Sequence, residues 1–338
     1  LSLHRMRALA EKLRAVFDEV RGCETLQMSD KRDDRQTKHN LHRHAAQYLA
    51  AVYLLAQPDE PAHTHLLWAA CHLELATLLF LKKPLVLGEL LALWYHRHLA
   101  DPKAERRADQ LLATPAPADE RDFWPTVRAL IAHAWPDKAA ALLYRHPSYS
   151  AAVASSPGGA PGVVLGQLPL RLCALLETRP RLDAPPLLEQ TDEAAQRTFA
   201  AQEALAEFQL SWQHWKADVK QLVRESAAAA HSQPDARGVH AAALLLTGER
   251  AVLAEQGGGS WDALRVAQLF YAQPTRLRWQ LRDLVPPPGE LRSDYERVLA
   301  ATLVDDPYGC MKAIRTVYGD DWLLAHLSDL LRRAGVDK

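Results

Sequence analysis

The sequence predicts an all-α fold, and three observations support this prediction. Leu, Ala, Arg, Glu and Gln, all good helix formers, dominate the 338 residues. Apolar residues recur at three- and four-residue spacing along most of the chain. No run alternates β-branched with polar residues, and no Asn-Gly turn indicates a hairpin. We therefore expect helices joined by short loops.

The helical pattern divides into roughly a dozen segments. The first two carry amphipathic stripes over residues 6–20 and 41–55. Residues 66–95 form the most apolar stretch, but the charges at Lys82, Lys83 and Glu89 argue against a membrane span, so we predict a buried pair of helices there. The later predicted helices are Trp124–Ile131, Ala139–Tyr144, Leu168–Leu176, Phe208–Leu222, Ala241–Leu253, Trp261–Tyr271, Asp294–Leu303, Pro307–Tyr318 and Trp322–Leu331.

Composition and charge favour a folded globular protein. The hydrophobic fraction of 48% is normal for such a chain. The 40 basic and 41 acidic side chains nearly cancel, whereas a nucleic-acid-binding protein needs a basic surplus or a basic face. The cysteines lie far apart and form no CxxC pair, so we expect buried free thiols in a reducing compartment. They are Cys23, Cys71, Cys173 and Cys310.

Short connections between successive helices predict antiparallel neighbours. Because no tetratricopeptide, ankyrin or HEAT signature repeats, we predict an irregular α-solenoid of helix pairs. The Ser155–Gly162 stretch gives the strongest linker signal. We therefore expect an N-terminal helical part over 1–150, a linker over 151–162 and a C-terminal helical part over 163–338, in one continuous solenoid. Since the chain begins at Leu1 rather than Met, we also expect the native N-terminus to be truncated.

Histidine is the first candidate for chemistry, since the chain has 15 of them. The H-E-x-x-H pattern of a helical zinc site is absent. His72 and Glu74 lie two residues apart, which places them on different faces of a helix. We interpret the remaining histidine clusters as surface or helix-end residues. These clusters are His39, His42 and His44; His63 and His65; and His96 and His98 on either side of Arg97.

Glycine-rich and paired-acid motifs have structural explanations. Residues 257–260 lack the lysine and the preceding strand of a phosphate-binding loop, and Ser260 suits the N-cap of the next helix. The 158–162 stretch also lacks that pattern. The pairs at 305–306 and 320–321 precede helices, where carboxylates interact with the helix dipole. No G-x-S-x-G motif occurs. We therefore predict no catalytic, cofactor-binding or metal-binding residue.

The tryptophans are more informative, because each of six lies within an apolar helical pattern. Core packing between helices is the simplest interpretation, although tryptophan is also a frequent anchor of protein interfaces. The sequence alone does not separate these two roles. The six residues are Trp94, Trp124, Trp212, Trp215, Trp261 and Trp322.

Four motifs in order resemble one family. Phe208–Trp215 is similar to an F-x-L-x-W-x-x-W helix, and Leu246–Gln256 to an L-x-G-[DE]-x-A-V-L-x-E-Q turn. Trp261 together with Leu269–Pro274 resembles a W…L-x-Y-x-x-P helix, and Trp322–Leu331 resembles a W-x-x-A-H-L-[ST]-D-L-L helix. The family is that of the roughly eighty-five-kilodalton nucleoporin of the Y-shaped complex, which builds the outer rings of the nuclear pore.

The resemblance implies an ancestral coatomer element, an irregular helical stack that folds back on itself. It implies partners among the Y-complex nucleoporins and a Sec-thirteen-like WD-repeat propeller, which family members complete with a β-blade supplied in trans. No strand-like sequence precedes Leu3, so we expect the blade to be trimmed from this chain, and the hub-contacting tail beyond Lys338 as well. The motif residues themselves look like internal packing positions.

Three functions remain open at this point. The first is a scaffold subunit of the nuclear pore at the nuclear envelope, which supports nucleocytoplasmic transport. The second is a helical scaffold or adaptor of a vesicle coat or tethering complex. The third is a helical enzyme with an unrecognised histidine-carboxylate site. We favour a non-enzymatic scaffold without cofactor, nucleic acid, membrane insertion or small-molecule substrate.

Overall fold

The computed structural model describes residues 63–82, 87–149, 168–182, 193–233, 235–256, 261–304, 306–318 and short pieces between 324 and 332. These residues are mostly helical and contain no β-strand, so the prediction of an all-α, solenoid-like fold is confirmed. The predicted linker over 151–162 lies outside the described residues. The division into parts on either side of it stays a prediction.

The helices of the described residues are short except for one. They are α1 (His63–Ala76), α2 (Gly88–His98), α3 (Pro102–Ala113), α4 (Phe123–Ala132), α5 (Pro136–Leu143), α6 (Leu168–Glu177), α7 (Glu193–Ala229), α8 (Ala236–Leu246), α9 (Arg250–Gln256), α10 (Trp261–Tyr271), α11 (Asp294–Leu303) and α12 (Pro307–Tyr318). A π-helix, Thr77–Lys82, continues α1, and 3₁₀ turns lie at Pro117–Asp119, Arg278–Leu284 and Pro288–Glu290.

Local sequence signals explain several helix starts. The Asp101 carboxylate accepts a hydrogen bond of 2.9 Å from the backbone N–H of Lys103, and proline occupies the first position of α3. The Ser293 hydroxyl accepts one of 3.2 Å from the N–H of Glu296 at the start of α11. Asp306 directly precedes α12, as predicted, whereas residues 305 and 320–321 lie outside the description.

One sequence prediction about helix bounds is wrong. The apolar run Ala241–Leu253, predicted as one helix, is two, because Gly248 adopts a left-handed φ of 73° and ends α8. The buried helices predicted over 66–95 are present as α1 and α2, whose described side chains are mostly buried, and they belong to different compact units. No helix of the described residues combines the length and apolar character needed to cross a bilayer.

The described chain forms two compact units. The larger runs from Val86 to Arg276 and contains α2 to α10. Within it the chain does not simply stack successive hairpins. Neighbours such as α4 and α5 or α7 and α8 do pack together, but α8 also packs on α4, and α10 packs on α2. The later helices of this unit therefore return to cover the earlier ones, which closes its core.

The smaller unit contains α1, α11 and α12 among its described elements. Helix α11 packs against both α1 and α12. The Trp68 and Tyr295 rings stack with centroids 5.0 Å apart and planes 1° apart, and the buried His72 Nε2 lies 3.1 Å from the Tyr295 carbonyl oxygen. In the same unit the Thr302 hydroxyl lies 3.1 Å from the buried Cys310 sulfur.

The prediction of buried thiols outside any disulfide is confirmed for Cys71, Cys173 and Cys310. Burial raises the pKa of the Cys173 thiol to about 11 and that of the Cys310 thiol to about 12. These thiols therefore stay protonated and fill space as small apolar groups. Cys23 lies outside the described residues.

We predict that Gly248→Ala destabilises the larger unit by at least ~1–2 kcal/mol, because an L-residue pays that much in the left-handed region. An added Cβ would also lie 2.7 Å from the Ala272 Cβ and 2.8 Å from its backbone nitrogen. Urea unfolding followed by circular dichroism measures the change.

Gly88→Ala, in the same unit, is the matched control. Its added Cβ would lie 3.5 Å from the nearest heavy atom, the Pro274 carbonyl oxygen, which is ordinary contact. We expect its stability to stay within ~0.5 kcal/mol of the unaltered chain. Equal stability of the two variants would contradict the assignment of strain to Gly248.

Candidate functional site

An aromatic stripe lies on the buried face of α7. Phe208, Trp212 and Trp215 have exposed fractions of only 6%, 8% and 4%. Their rings lie in sequence, with centroids 5.7 Å apart for the first pair and 4.8 Å for the second. The Trp215 indole N–H donates a hydrogen bond of 2.8 Å to the Leu175 carbonyl at the end of α6. The stripe therefore binds α7 to its neighbours within the unit.

Lys216 follows the aromatic stripe and binds backbone carbonyls at the C-terminal end of α8. Its ammonium donates hydrogen bonds of 2.9 Å to the Leu246 carbonyl and 2.6 Å to the Thr247 carbonyl. It also lies 5.9 Å and 5.7 Å from the ring centroids of Trp212 and Trp215. Burial, helped by a nearby lysine, lowers the pKa of Lys216 to about 8. A cation thus satisfies carbonyls at the negative end of a helix.

A buried arginine joins three elements elsewhere in the unit. The Arg179 side chain, just beyond α6, is 2% exposed, and its guanidinium forms an ion pair with Glu89 on α2. The guanidinium carbon lies 3.7 Å from the centroid of the Phe270 ring on α10. Burial raises the pKa of the neighbouring Tyr271 hydroxyl, which is fully covered. Through its contacts with Glu89 and Phe270, Arg179 therefore joins α10 to α2.

Two histidines meet at the turn between α4 and α5. The Tyr95 hydroxyl lies 2.8 Å from His133 Nδ1, and His96 Nε2 lies 2.7 Å from the His133 carbonyl oxygen. The His96 ring stacks on Trp135 with centroids 4.7 Å apart. Burial lowers the pKa of both imidazoles below the ordinary value, so both are neutral and serve as hydrogen-bonding parts of the packing.

Asp235 connects α4, the turn after α5 and the start of α8. Its carboxylate accepts a hydrogen bond of 3.3 Å from the Trp124 indole N–H and lies 3.3 Å from His146 Nε2. Gly238 on α8 lies so close to Trp124 that an added Cβ would come within 2.2 Å of the indole. Glycine is therefore required where α8 crosses α4.

The structure locates several of the tryptophan and histidine candidates in the packed interior. Trp94, Trp212 and Trp215 are buried, so core packing is the correct interpretation for these three. His72 is a packed core residue, and His96 is half-buried in the turn cluster. No group of three or more His, Cys, Asp or Glu side chains in the described part of the chain is placed to hold a metal ion. The candidates outside the described residues are His39, His42, His44, Gly257–Ser260, Gly158–Gly162 and Trp322.

Sequence reasoning missed Lys216, Arg179, His133 and Asp235. Lys216 carried a usable signal, since it directly follows Trp215 on the helix that also carries Trp212. The other three carried none, because their partners lie 37 to 111 positions away.

Four large apolar side chains are exposed on the described surface. Within the described residues they are Leu67, Leu93, Leu210 and Tyr308, with exposed fractions of 37%, 61%, 56% and 60%. Leu93 lies on α2 and Leu210 on α7, whereas Leu67 lies on α1 and Tyr308 on α12. Single exposed apolar residues are common on protein surfaces, but they are the positions a binding partner would cover first.

The described helices pack against one another with aromatic residues buried between them, and this arrangement defines an all-α, solenoid-like protein. The chain belongs to the Nup85 nucleoporin family, whose family model matches residues 4–338. It is similar to the nuclear pore complex protein Nup85 of Xenopus laevis, with 21% identity over 300 residues, which cover 85% of this chain. The match covers 39% of that relative's length.

We expect Trp215→Ala to destabilise the larger unit by ~3–5 kcal/mol, because a buried indole leaves a cavity and the Leu175 carbonyl loses its donor. Denaturant unfolding measures the loss. Gln213→Ala, on an exposed position of the same helix, should change stability by no more than ~0.5 kcal/mol. A Trp215→Ala chain that unfolds at the unaltered midpoint would show that this burial is unimportant.

The histidine cluster predicts a loss of stability in acid. Because the folded pKa of each imidazole lies below its unfolded value of about 6.5, the unfolded chain binds more protons below that pH. Stability should therefore fall as the pH drops below ~6.5, by up to ~1.4 kcal/mol per pH unit for each histidine. Urea unfolding at several pH values measures this slope.

The double variant His96→Gln, His133→Gln is the control for that slope, since glutamine keeps hydrogen-bonding groups but does not titrate. Its unfolding free energy should depend less steeply on pH between ~5 and 6.5 than that of the unaltered chain. An identical slope in both proteins would mean that other groups determine the acid sensitivity.

Proposed function

We propose that this chain is the helical scaffold part of an outer-ring nucleoporin, located at the nuclear envelope in the nuclear pore complex. The observation that carries the proposal is the family match over residues 4–338. Its role is to hold other nucleoporins in place and so to support nucleocytoplasmic transport. The same family match does not favour the alternative of a vesicle-coat or tethering subunit.

The architecture supports a holding role. In the larger unit the later helices cover the earlier ones. The indoles of Trp212 and Trp215 are buried where α7 packs against its neighbouring helices. A protein that positions partners needs such a closed core, because its surfaces must keep their shape under load. Exposed residues such as Leu93 and Leu210 remain outside that core for contacts with other chains.

A structural rather than a catalytic role fits the buried polar groups. The Lys216 ammonium is engaged with two helix-end carbonyls, and the Arg179 guanidinium with Glu89 and the Phe270 ring. His96 and His133 are held in a hydrogen-bonded turn. These side chains act on the packing of helices, which is what a scaffold requires of its buried charges.

The partners we propose are other nucleoporins of the Y-complex and a Sec-thirteen-like propeller. The near-zero net charge of this chain suits docking to proteins through mixed polar and apolar faces rather than to nucleic acid. A stable contact of this kind buries on the order of 1,200–2,000 Å². The full-length protein would contact the propeller through a β-blade that it supplies to it.

Affinity purification of the full-length protein from cells, followed by mass spectrometry, tests the proposal. We expect Y-complex nucleoporins and a propeller to remain bound. Recovery of vesicle-coat or tethering components in their place would overturn the assignment, and so would recovery of neither set.

Two variants sharpen this purification. Leu93→Ser changes an exposed position and should leave the fold intact while it weakens a partner that docks on α2. Trp215→Ala should instead reduce the recovery of all partners of the larger unit, because it acts through the fold. A binding protein that loses nothing with either variant would not use this unit.

A further inference from the structure

Helix α7 has two faces of opposite character. One face carries the buried stripe of Phe208, Trp212 and Trp215. The other face is open to solvent, and a line of exposed side chains spaced seven residues apart runs along it. The outer stripe consists of Glu203, Leu210, Ala217 and Arg224, all exposed. With 3.6 residues per turn, the outer stripe lies about 180° around the helix from the buried one.

The outer stripe is self-complementary in one orientation only. If a second α7 runs antiparallel against it, with the twofold axis between Gln213 and His214, Glu203 faces Arg224 of the other copy and Leu210 faces Ala217. The same holds with the copies exchanged, as an isologous contact requires. A parallel arrangement would instead place Glu203 against Glu203 and Arg224 against Arg224, which is repulsive.

We propose that this outer face of α7 is a self-association surface, on which a second copy of the chain docks antiparallel. Leucine at one position and alanine opposite it allow two helices to approach closely at the centre. The two Glu203–Arg224 ion pairs then close the contact, at positions about 32 Å apart along each helix. Leu210 is the exposed leucine that this pairing covers.

The pairing should be weak. A single pair of helices buries less than the ~1,200 Å² at the low end of stable interfaces, and exposed ion pairs are screened by salt. We therefore expect dimers at protein concentrations on the order of 100 μM, fewer at high ionic strength. Such an interface acts where copies are already held near one another, since a high local concentration compensates for weak affinity.

Charge exchange tests the register. Glu203→Arg and Arg224→Glu each place like charges opposite one another and should weaken the dimer about tenfold or more in sedimentation equilibrium. The double variant Glu203→Arg, Arg224→Glu restores opposite charges and should restore the dimer. Because both side chains are exposed, none of these variants should alter the fold, which circular dichroism checks.

Disulfide formation provides an independent readout. His214→Cys lies beside the twofold axis, so two copies should cross-link on mild oxidation, whereas Ser211→Cys, on the side of α7, should not. A chain that stays monomeric at ~300 μM, a dimer that ignores the charge exchange, or equal cross-linking of the two cysteine variants would each overturn the proposal. None of these outcomes depends on the proposed place in the nuclear pore.

Discussion

Trp215 makes the contact on which the larger unit depends. Its indole is almost fully covered, and its N–H satisfies the Leu175 carbonyl at the end of α6. One residue later, Lys216 reaches past the same rings to the last carbonyls of α8. A single turn of α7 therefore fixes the ends of two neighbouring helices. An indole suits this position because it fills volume and donates one directed hydrogen bond.

Charged and polar side chains repeat this pattern at the other junctions. Arg179 with Glu89 joins the segment after α6 to α2, and Asp235 joins the start of α8 to α4 through Trp124. Helices that pack through apolar stripes alone can slide along one another, because hydrophobic contact has no direction. We infer that this ion pair and the directed hydrogen bonds select one register, although they add little net stability.

Much of this fold could be predicted from the sequence, because helix periodicity and burial are local properties. The stripe of Phe208, Trp212 and Trp215 gave both the helix and its buried face. The periodicity of Ala241–Leu253 predicted one helix, although the Leu246–Gln256 motif resembles a turn. The left-handed φ of Gly248 shows that the turn is the correct prediction. The pairing of α8 with α4 could not be predicted, because contacts between distant segments follow from the complementarity of many side chains at once.

For the same reason, the side-chain contacts between helices were less predictable than the helices themselves. His96 and His133 lie 37 residues apart and become partners only because the turn after α4 reaches back to α2. Leu210, by contrast, belongs to a motif whose other apolar members are buried, yet the structure leaves it on the outer face. A motif residue that does not serve the core is free to serve another surface. In α7 one helix therefore has two separable roles, since its inner stripe holds the unit together and its outer stripe remains available to another chain.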